Sequence, residues 1–430
     1  MNLNVPELVL QIKARQKAKL KLPEWFENKE IIFPKMLSVE QCSSEITAKF
    51  KANLVSGSIL VDLTGGMGVD MAYMSKNFKK AFYFEQNTDL LKVTKYNFEQ
   101  LGIENVAFVE GNSIEKLPEI PLSNLNQNTW IYLDPHRRDD SGSKVVRLQD
   151  CEPNILVIKN LLFKYTDNIL LKASPMLDID LAILDLENVY QLYVVAVENE
   201  VKEVLFHLKK PRSDDSQTVQ TDANNIKSDH NQTVQKNTSD YRLTTTNNTG
   251  SDDSQTVQTD TSNYCLNITN KVIVNAVNLT KNNSTTLSFT KSEEKNANII
   301  IATPKQYLYE PNAAIMKAGG FRLVTQHFDL QKIAPNSHLY TSENLVENFQ
   351  GRIFKIIAVC KLDKKEIAKH LSESKANITI RNFPLTVQQI RDKLKLSDGG
   401  SEYLFATTDA QNQKIVIVCR KHKPVIHAEA

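Results

Sequence analysis

The sequence predicts an α/β protein built on a doubly wound, mainly parallel sheet, and three observations carry that expectation. Short apolar runs, ILVDL (59–63), KAFYFE (80–85), NVAFVE (105–110), TWIYLD (129–134) and NILLKA (168–173), alternate with amphipathic stretches. Buried parallel strands separated by helices read this way. The first run opens into a glycine-rich turn, VDLTGGMGVD (61–70), and polar residues stand at the ends of four successive runs: Asp62, Glu85, Asn112 and Asp134.

At 430 residues the chain exceeds one ordinary domain, so two to four units are expected. Hydrophobic residues at 41%, charged residues at 24% and a net charge of +2 are ordinary for a soluble globular protein. Any affinity for nucleic acid must then come from local patches. No uninterrupted apolar run approaches the roughly 18 residues of a membrane span, and the basic cluster of the N-terminus follows its apolar stretch instead of preceding it. Five scattered cysteines without C-x-x-C spacing fit reduced thiols, which places the chain in the cytoplasm. Oligomeric state is left open.

Residues 1–45 read as a helical cap: ELVLQIKARQKAKL has apolar residues at helical spacing, and Ser43-Ser44-Glu45 forms a helix start before ITAKFKANL. The alternating α/β region follows over 46–298, with VYQLYVVAV (189–197) and KVIVNAVNL (271–279) as possible outer strands. Within it, residues 211–263 are crowded with Ser, Thr, Asn, Gln and Asp, and SDDSQTVQTD occurs at 213–222 and again at 251–260. Such a segment cannot bury enough surface to fold alone and reads as a duplicated surface insertion. The last part, 351–430, reads strand-helix-strand-helix-strand-strand and carries 15 Lys+Arg against 8 Asp+Glu. Because the whole chain is only +2, the remainder is net acidic and the charge is polarised.

Glycines at 65, 66 and 68 allow a tight strand-to-helix turn and let backbone N–H groups approach a ligand at the helix N-terminus. Glu85, 23 residues after Asp62, is placed to offer a carboxylate to a ribose diol, and Asp134 lies at the carboxyl edge where ligands bind in such sheets. A nicotinamide-dinucleotide site is the runner-up, because the third glycine of G-x-G-x-x-G is replaced by Met71. A P-loop fails, since no Gly-Lys-Ser/Thr follows. No metal site is implied, the eight histidines never pairing as H-x-x-x-H. Asp70 reads as a dipole-complementing residue of the first helical turn. Cys151 has both a nucleophilic and an inert buried reading, and Lys172 either steers an anionic substrate or snorkels at the surface.

Asp62-x-Thr64-x-Gly66-x-Gly68, Glu85, Asn112 and Asp134-Pro135 resemble the successive motifs of class I S-adenosylmethionine-dependent methyltransferases, whose sheet is Rossmann-like; Thr64 departs from the commonest pattern, which has glycine there. More narrowly, EQCSSEITAKFKA, YLDPHRRD, LKASPMLDID, YLYEPNAAIMKAGGF, HLYTSENLVENFQGRIF and ITIRNFPLTVQQIRDKLKLSDGGSEYLFAT resemble a bacterial methyltransferase family with a ferredoxin-like domain, here 299–350, and a C-terminal THUMP-like domain, here 351–430. The resemblance implies S-adenosylmethionine as cofactor, held by Asp62, Thr64, Gly65, Gly66, Gly68, Glu85, Asn112 and Asp134. Glu85 would take the ribose, Asn112 the adenine, Asp62 the ammonium, and the Gly66 and Gly68 amides the methionine end. Asp134-Pro135-His136-Arg137 is similar to the Asp-Pro-Pro-aromatic loop of enzymes that methylate exocyclic amines of bases, with His136 and Arg137 departing from it. The acceptor implied is a base of ribosomal or transfer RNA, gripped through Lys393, Lys395, Arg420, Lys421 and Lys423. Arg137 and Arg138 would stack on a base, hold a phosphate or remain solvated. The alternatives are a small-molecule or protein methyltransferase, and a non-catalytic RNA-binding protein with a relic pocket.

Replacing 213–260 by a brief Gly/Ser linker is expected to leave the thermal midpoint and ligand binding nearly unchanged, because loop closure depends only weakly on length. Calorimetry of the shortened chain checks this; loss of soluble protein would show that the segment folds.

Overall fold

A computed structural model describes residues 5–34, 36–120, 128–137, 147–211 and 269–422; the insertion with its repeats, Arg138 and Lys423 lie outside the described residues. The chain divides into two compact units, Met1–Val195 with Lys202–Ile273, and Ala196–Val201 with Val274–Ala430.

The first unit opens with helices α1 (Val5–Lys21), α2 (Pro23–Glu27), α3 (Met36–Gln41) and α4 (Glu45–Leu54). Arg15 of α1 fixes the chain beyond α2, donating to the carbonyls of Phe26, Asn28, Lys29 and Ile31 at 2.9–3.2 Å. Ser44 caps α4, as its sequence position predicts, accepting from Thr47 N. The sheet elements follow in chain order: β1 (Gly57–Asp62), α5 (Val69–Met74), β2 (Phe78–Glu85), α6 (Thr88–Gln100), β3 (Val106–Glu110), α7 (Ser113–Lys116), β4 (Thr129–Leu133), the short β5 (His136–Arg137) and β6 (Cys151–Glu152), α8 (Ile155–Leu162), β7 (Asn168–Ala173), α9 (Ile179–Leu186), β8 (Val189–Val197) and β9 (Glu200–Lys209). Each of the five predicted buried runs is a strand. Asn87, Asn112, Asn154 and Asp178 each accept from the first amides of the helix that follows them, so the βα turns stop the strand and start the helix with one side chain.

Strand order in this unit is β8-β9-β7-β4-β1-β2-β3, with β1, β2, β3, β4 and β7 parallel. The chain leaves β1 towards β3, then crosses back to place β4 on the other side of β1. That reversal opens a crevice at the carboxyl ends of β1 and β4. The strand β9, antiparallel to β7, is an element that apolar periodicity did not reveal, since in ENEVKEVLFHLKK charges crowd both ends of a short apolar run. Glu198 and Asn199, both at positive φ (49° and 65°), make the two-residue turn before it.

The second unit contains the hairpin β10 (Ile273–Leu279) and β11 (Ser284–Thr290), which holds the predicted KVIVNAVNL strand, and α10 (Lys291–Asn296), started by a capping box of Thr290 and Glu293. A seven-stranded sheet follows, in the order β13 (Gln331–Lys332), β14 (Tyr340–Ser342), β12 (Tyr307–Pro311), β15 (Gly351–Cys360), β18 (Lys414–Lys421), β17 (Glu402–Thr408), β16 (Asn377–Arg381). Helices α11 (Ala313–Ala318), α12 (Leu323–His327), α13 (Lys364–Ala368) and α14 (Val387–Leu394) complete it. Alternation along the strands buries both faces: Leu404, Ala406, Val416 and Val418 pack with Ile367 and Ile390 of α13 and α14, while Phe405, Ile417 and Cys419 pack with Leu308, Ile333 and Phe354.

The segments before and after residue 350 therefore share one sheet, joined where β12 pairs antiparallel with β15. A carboxylate fastens the join. Glu310, 3% exposed, accepts from Arg352 Nε at 2.7 Å and from Arg381 Nη2 at 2.7 Å, linking β12, β15 and β16. Glu310→Ala would strand two guanidinium groups that are only about one-third exposed. We expect a loss of about 2–3 kcal/mol in the second unit's stability, read by denaturant unfolding; an unchanged midpoint would mean that water replaces the carboxylate at no cost.

Candidate active site

Glycines and polar side chains gather where β1, β2, β3 and β4 end, and there the first unit has a crevice of about 680 Å³. Its lining includes Asp62, Thr64, Gly65, Gly66, Gly68, Glu85, Asn112, Asp134, Pro135 and His136, so these residues predicted from sequence share one cavity. Volumes of roughly 300–1,000 Å³ are usual for sites that enclose a small organic ligand.

The glycine turn is shaped by its neighbours. A Cβ at Gly65 would lie 2.4 Å from Phe84 O, and one at Gly68, where φ is +77°, would lie 2.7 Å from Thr94 Cγ2. Only glycine allows the turn to pack this closely against β2 and α6. Gly66 N donates to Glu85 Oε2 at 2.8 Å, Asn87 N donates to Glu85 Oε1 at 2.7 Å, and Gly68 N reaches Gly65 O at 3.3 Å. The two amides expected to receive a ligand are thus engaged within the turn.

Thr64, where the commonest pattern has glycine, joins two strand ends. Its hydroxyl donates to Asp62 Oδ1 at 3.2 Å and accepts from Asp134 N at 2.7 Å. Asp62 is 1% exposed, and burial pushes its carboxyl up to about 8 in spite of hydrogen bonds from Thr64. Asn112 is exposed and accepts from Ile114 N at 2.9 Å. Asp134 Oδ2 is 2.6 Å from Lys172 Nζ, whose side chain is 13% exposed. Burial opposes the charge on Lys172, but the carboxylates of Asp134, Asp70 and Glu203 outweigh it and raise its pKa above the ordinary lysine value.

Beneath the crevice lies a buried ionic cluster that the sequence did not announce. Lys51 of α4, 0% exposed, donates to both oxygens of Glu203 on β9 at 2.7 Å and to Ser43 Oγ at 3.2 Å, and its Nζ is 3.2 Å from Asp70 Oδ1. Asp70 Oδ2 accepts from Ser43 Oγ at 2.8 Å and Tyr132 OH at 2.6 Å. Asp70 stands in the first turn of α5, as the sequence predicts, and is in addition a buried junction. Burial alone would raise its pKa, but Lys51, Lys172, Tyr132 and Ser43 together lower it. In Glu203 burial prevails over Lys51 and Lys172, and the pKa is raised. One signal was present: Lys51 lies one turn after Thr47 and adjacent to Ala48 and Ala52 on the buried stripe of its helix, an unusual place for lysine.

The N-terminal helices also reach the site, since Ser38, Gln41, Cys42 and Ser43 line the crevice, as do Glu152 and Pro153. Burial pushes the Cys42 thiol up to about 11. Cys151 is buried, pairs with Arg137 through the backbone, and its Sγ donates to Arg147 O at 3.5 Å; it does not line the crevice, which favours the inert reading. The side chain of Arg137 lies outside the described residues. In the second unit, Lys393 lies in the last turn of α14, Lys395 follows the helix in a left-handed conformation (φ 57°), and Lys421 is exposed at the end of β18. Arg420 differs from these, because its Nε and Nη2 donate to buried Glu402 at 3.0 and 2.9 Å. Its charge is already paired.

Comparison with known proteins agrees with this architecture. Residues 307–349 match the model of a ferredoxin-like domain and residues 351–421 that of a THUMP-like domain. The chain has a methyltransferase fold with ferredoxin-like and THUMP-like domains. Its fold matches a protein of Porphyromonas gingivalis W83, provisionally named a methyltransferase, with a TM-score of 0.75 and 28% identity over 96% of this chain and 90% of that one. A stretch of 106 residues, 25% of this chain, is 26% identical to an RNA methyltransferase of Clostridium acetobutylicum that is itself uncharacterised. The match spans about a quarter (23%) of that relative's length.

Lys51→Met is expected to cost about 3–5 kcal/mol of stability in the first unit, because it leaves buried carboxylates without their counter-ion. The double variant Lys51→Met/Glu203→Met should recover much of the loss in thermal unfolding. Equal instability of both variants would show that packing, and not charge, is what Lys51 supplies.

Proposed function

We propose that this chain is an S-adenosylmethionine-dependent methyltransferase acting on a base of ribosomal or transfer RNA, with an exocyclic amine as the favoured acceptor. The observation that carries the reading is the crevice, in which the ends of four adjacent strands bring Asp62, Glu85, Asn112 and Asp134 around one glycine turn. Four such side chains are hard to obtain from packing alone. Their chemistry fits the cofactor part by part: carboxylates for an ammonium and a diol, an amide side chain for an adenine edge, and a glycine turn that a Cβ would obstruct. When bound, the cofactor supplies a methyl group on a positively charged sulfur.

The residues of the chain then have distinct tasks. Glu85, already held by two amides, keeps lone pairs for the ribose hydroxyls. Asn112 has Oδ1 committed to Ile114 N, which leaves its amide N–H groups to meet adenine. Asp134 and the carbonyl of Pro135 accept N–H bonds from the acceptor amine and aim its lone pair, while Lys172 and Thr64 hold Asp134 in place. RNA as substrate is supported by the THUMP-like domain, by the name of the Clostridium relative and by the basic excess in 351–430.

Calorimetry with S-adenosylmethionine and its demethylated product tests the reading. Binding of micromolar order is expected, and Glu85→Ala should weaken it by about 1–3 kcal/mol. Affinity should also depend on pH. Burial pushes the Asp62 carboxyl up to about 8, and it must be ionised to pair with an ammonium, so binding should release a proton and tighten as pH rises from 6 towards 8. The same raised pKa means that the unliganded fold loses stability as pH climbs from the ordinary carboxylate value of 3.8 through about 8. In Asp62→Asn the pH slope of binding should vanish. Absence of heat with either ligand, while NADH binds, would overturn the cofactor assignment.

A further inference from the structure

A ligand with the amino-acid end of S-adenosylmethionine brings its own carboxylate into a cavity that is already acidic. Asp62, Asp70, Glu85, Asp134 and Glu152 line the crevice, and Lys172 is the one Lys or Arg among the described residues that does so. These carboxylates suit the sulfonium and ammonium of such a ligand, but they repel its carboxylate. The glycine turn offers little relief, because Gly66 N is given to Glu85 and Gly68 N to Gly65 O.

Lys172 has what is missing. Its ammonium carries three donors, and among the described residues its hydrogen-bond partner is Asp134 Oδ2 at 2.6 Å, which leaves donors for a second acceptor. Its side chain is 13% exposed and held at one end by Asp134, so little conformational freedom is lost on taking a ligand. We infer that Lys172 is a cofactor-binding residue that receives the methionine carboxylate of S-adenosylmethionine while it holds Asp134. The inference rests on the cofactor reading above and names the seat of one of the cofactor's groups.

The test pairs a change in the ligand with a change in the protein. Calorimetry compares S-adenosylmethionine with decarboxylated S-adenosylmethionine, which keeps the sulfonium and the amine. The whole wild-type chain should bind the decarboxylated ligand about ten- to a hundredfold more weakly, the range for hydrogen bonds to a charged group. Lys172→Met should lose that same factor for S-adenosylmethionine and nothing for the decarboxylated ligand, whereas Lys172→Arg should keep most of it. A merely structural lysine would weaken both ligands alike, and that result overturns the inference. So does an unchanged affinity for S-adenosylmethionine in Lys172→Met, which would assign the lysine to an anionic substrate. If Lys172→Met does not fold, the wild-type ligand pair and Lys172→Arg still decide, because equal wild-type affinity for both ligands excludes a carboxylate seat. Wild-type protein that binds neither ligand removes the cofactor reading itself, and this inference with it.

Discussion

The ammonium of Lys51 is the point on which the first unit turns. With no exposure to solvent, it neutralises Glu203 from β9 and faces Asp70 at the start of α5, and its partner Ser43 bonds the same Asp70. Through Asp70 the cluster reaches Tyr132 of β4, and through the field of Asp70 and Glu203 it favours the charge on Lys172. A buried cation without such partners would be costly, and the carboxylates without it equally so. The N-terminal helices are therefore part of the site's foundation, and the crevice cannot be understood from the sheet alone.

Above that foundation the strand ends are tied to one another by protein groups alone. Thr64 couples the end of β1 to the first residue after β4, and Glu85 holds the glycine turn from the end of β2. Preorganisation of this kind lowers the cost of ordering the site when a ligand enters. It also constrains what the ligand can use. Donors and acceptors already committed to the turn must share or exchange partners, and groups on the far wall of the crevice, Lys172 among them, gain importance for that reason.

Much of this was legible in the sequence. Strand-end positions follow from apolar periodicity, and the rule that ligands bind at the carboxyl edge of a parallel sheet then singled out Asp62, Glu85, Asn112 and Asp134. What stayed hidden depends on distance along the chain or on conflicting local signals. Lys51 and Glu203 are 152 residues apart, and neither is recognisable as a partner of the other until β9 takes its place beside β7. The charges of β9 masked it as a strand. Ser43 looked like part of a helix start and Cys42 like one more scattered cysteine, and the packing of α4 against α5 accompanies their place on the crevice wall. Arg420 looked like its neighbour Lys421, yet Glu402, 18 residues earlier, pairs with it across the β17–β18 ladder. Residues 299–350 and 351–430 read as two domains, and a separate domain model matches within each; what local patterning did not show is that β12 and β15 pair to join them in one sheet.

The central claim is that Asp134 presents a base of RNA to a methyl donor in the crevice. Mass spectrometry of nucleosides from ribosomal and transfer RNA, comparing a strain that lacks this chain with the same strain carrying the wild-type or the Asp134→Ala form, tests it most directly. The account predicts one methylated base that is missing without the chain, restored by the wild-type form, and not restored by Asp134→Ala. Identical nucleoside profiles in all three strains, or full restoration by Asp134→Ala, would contradict it.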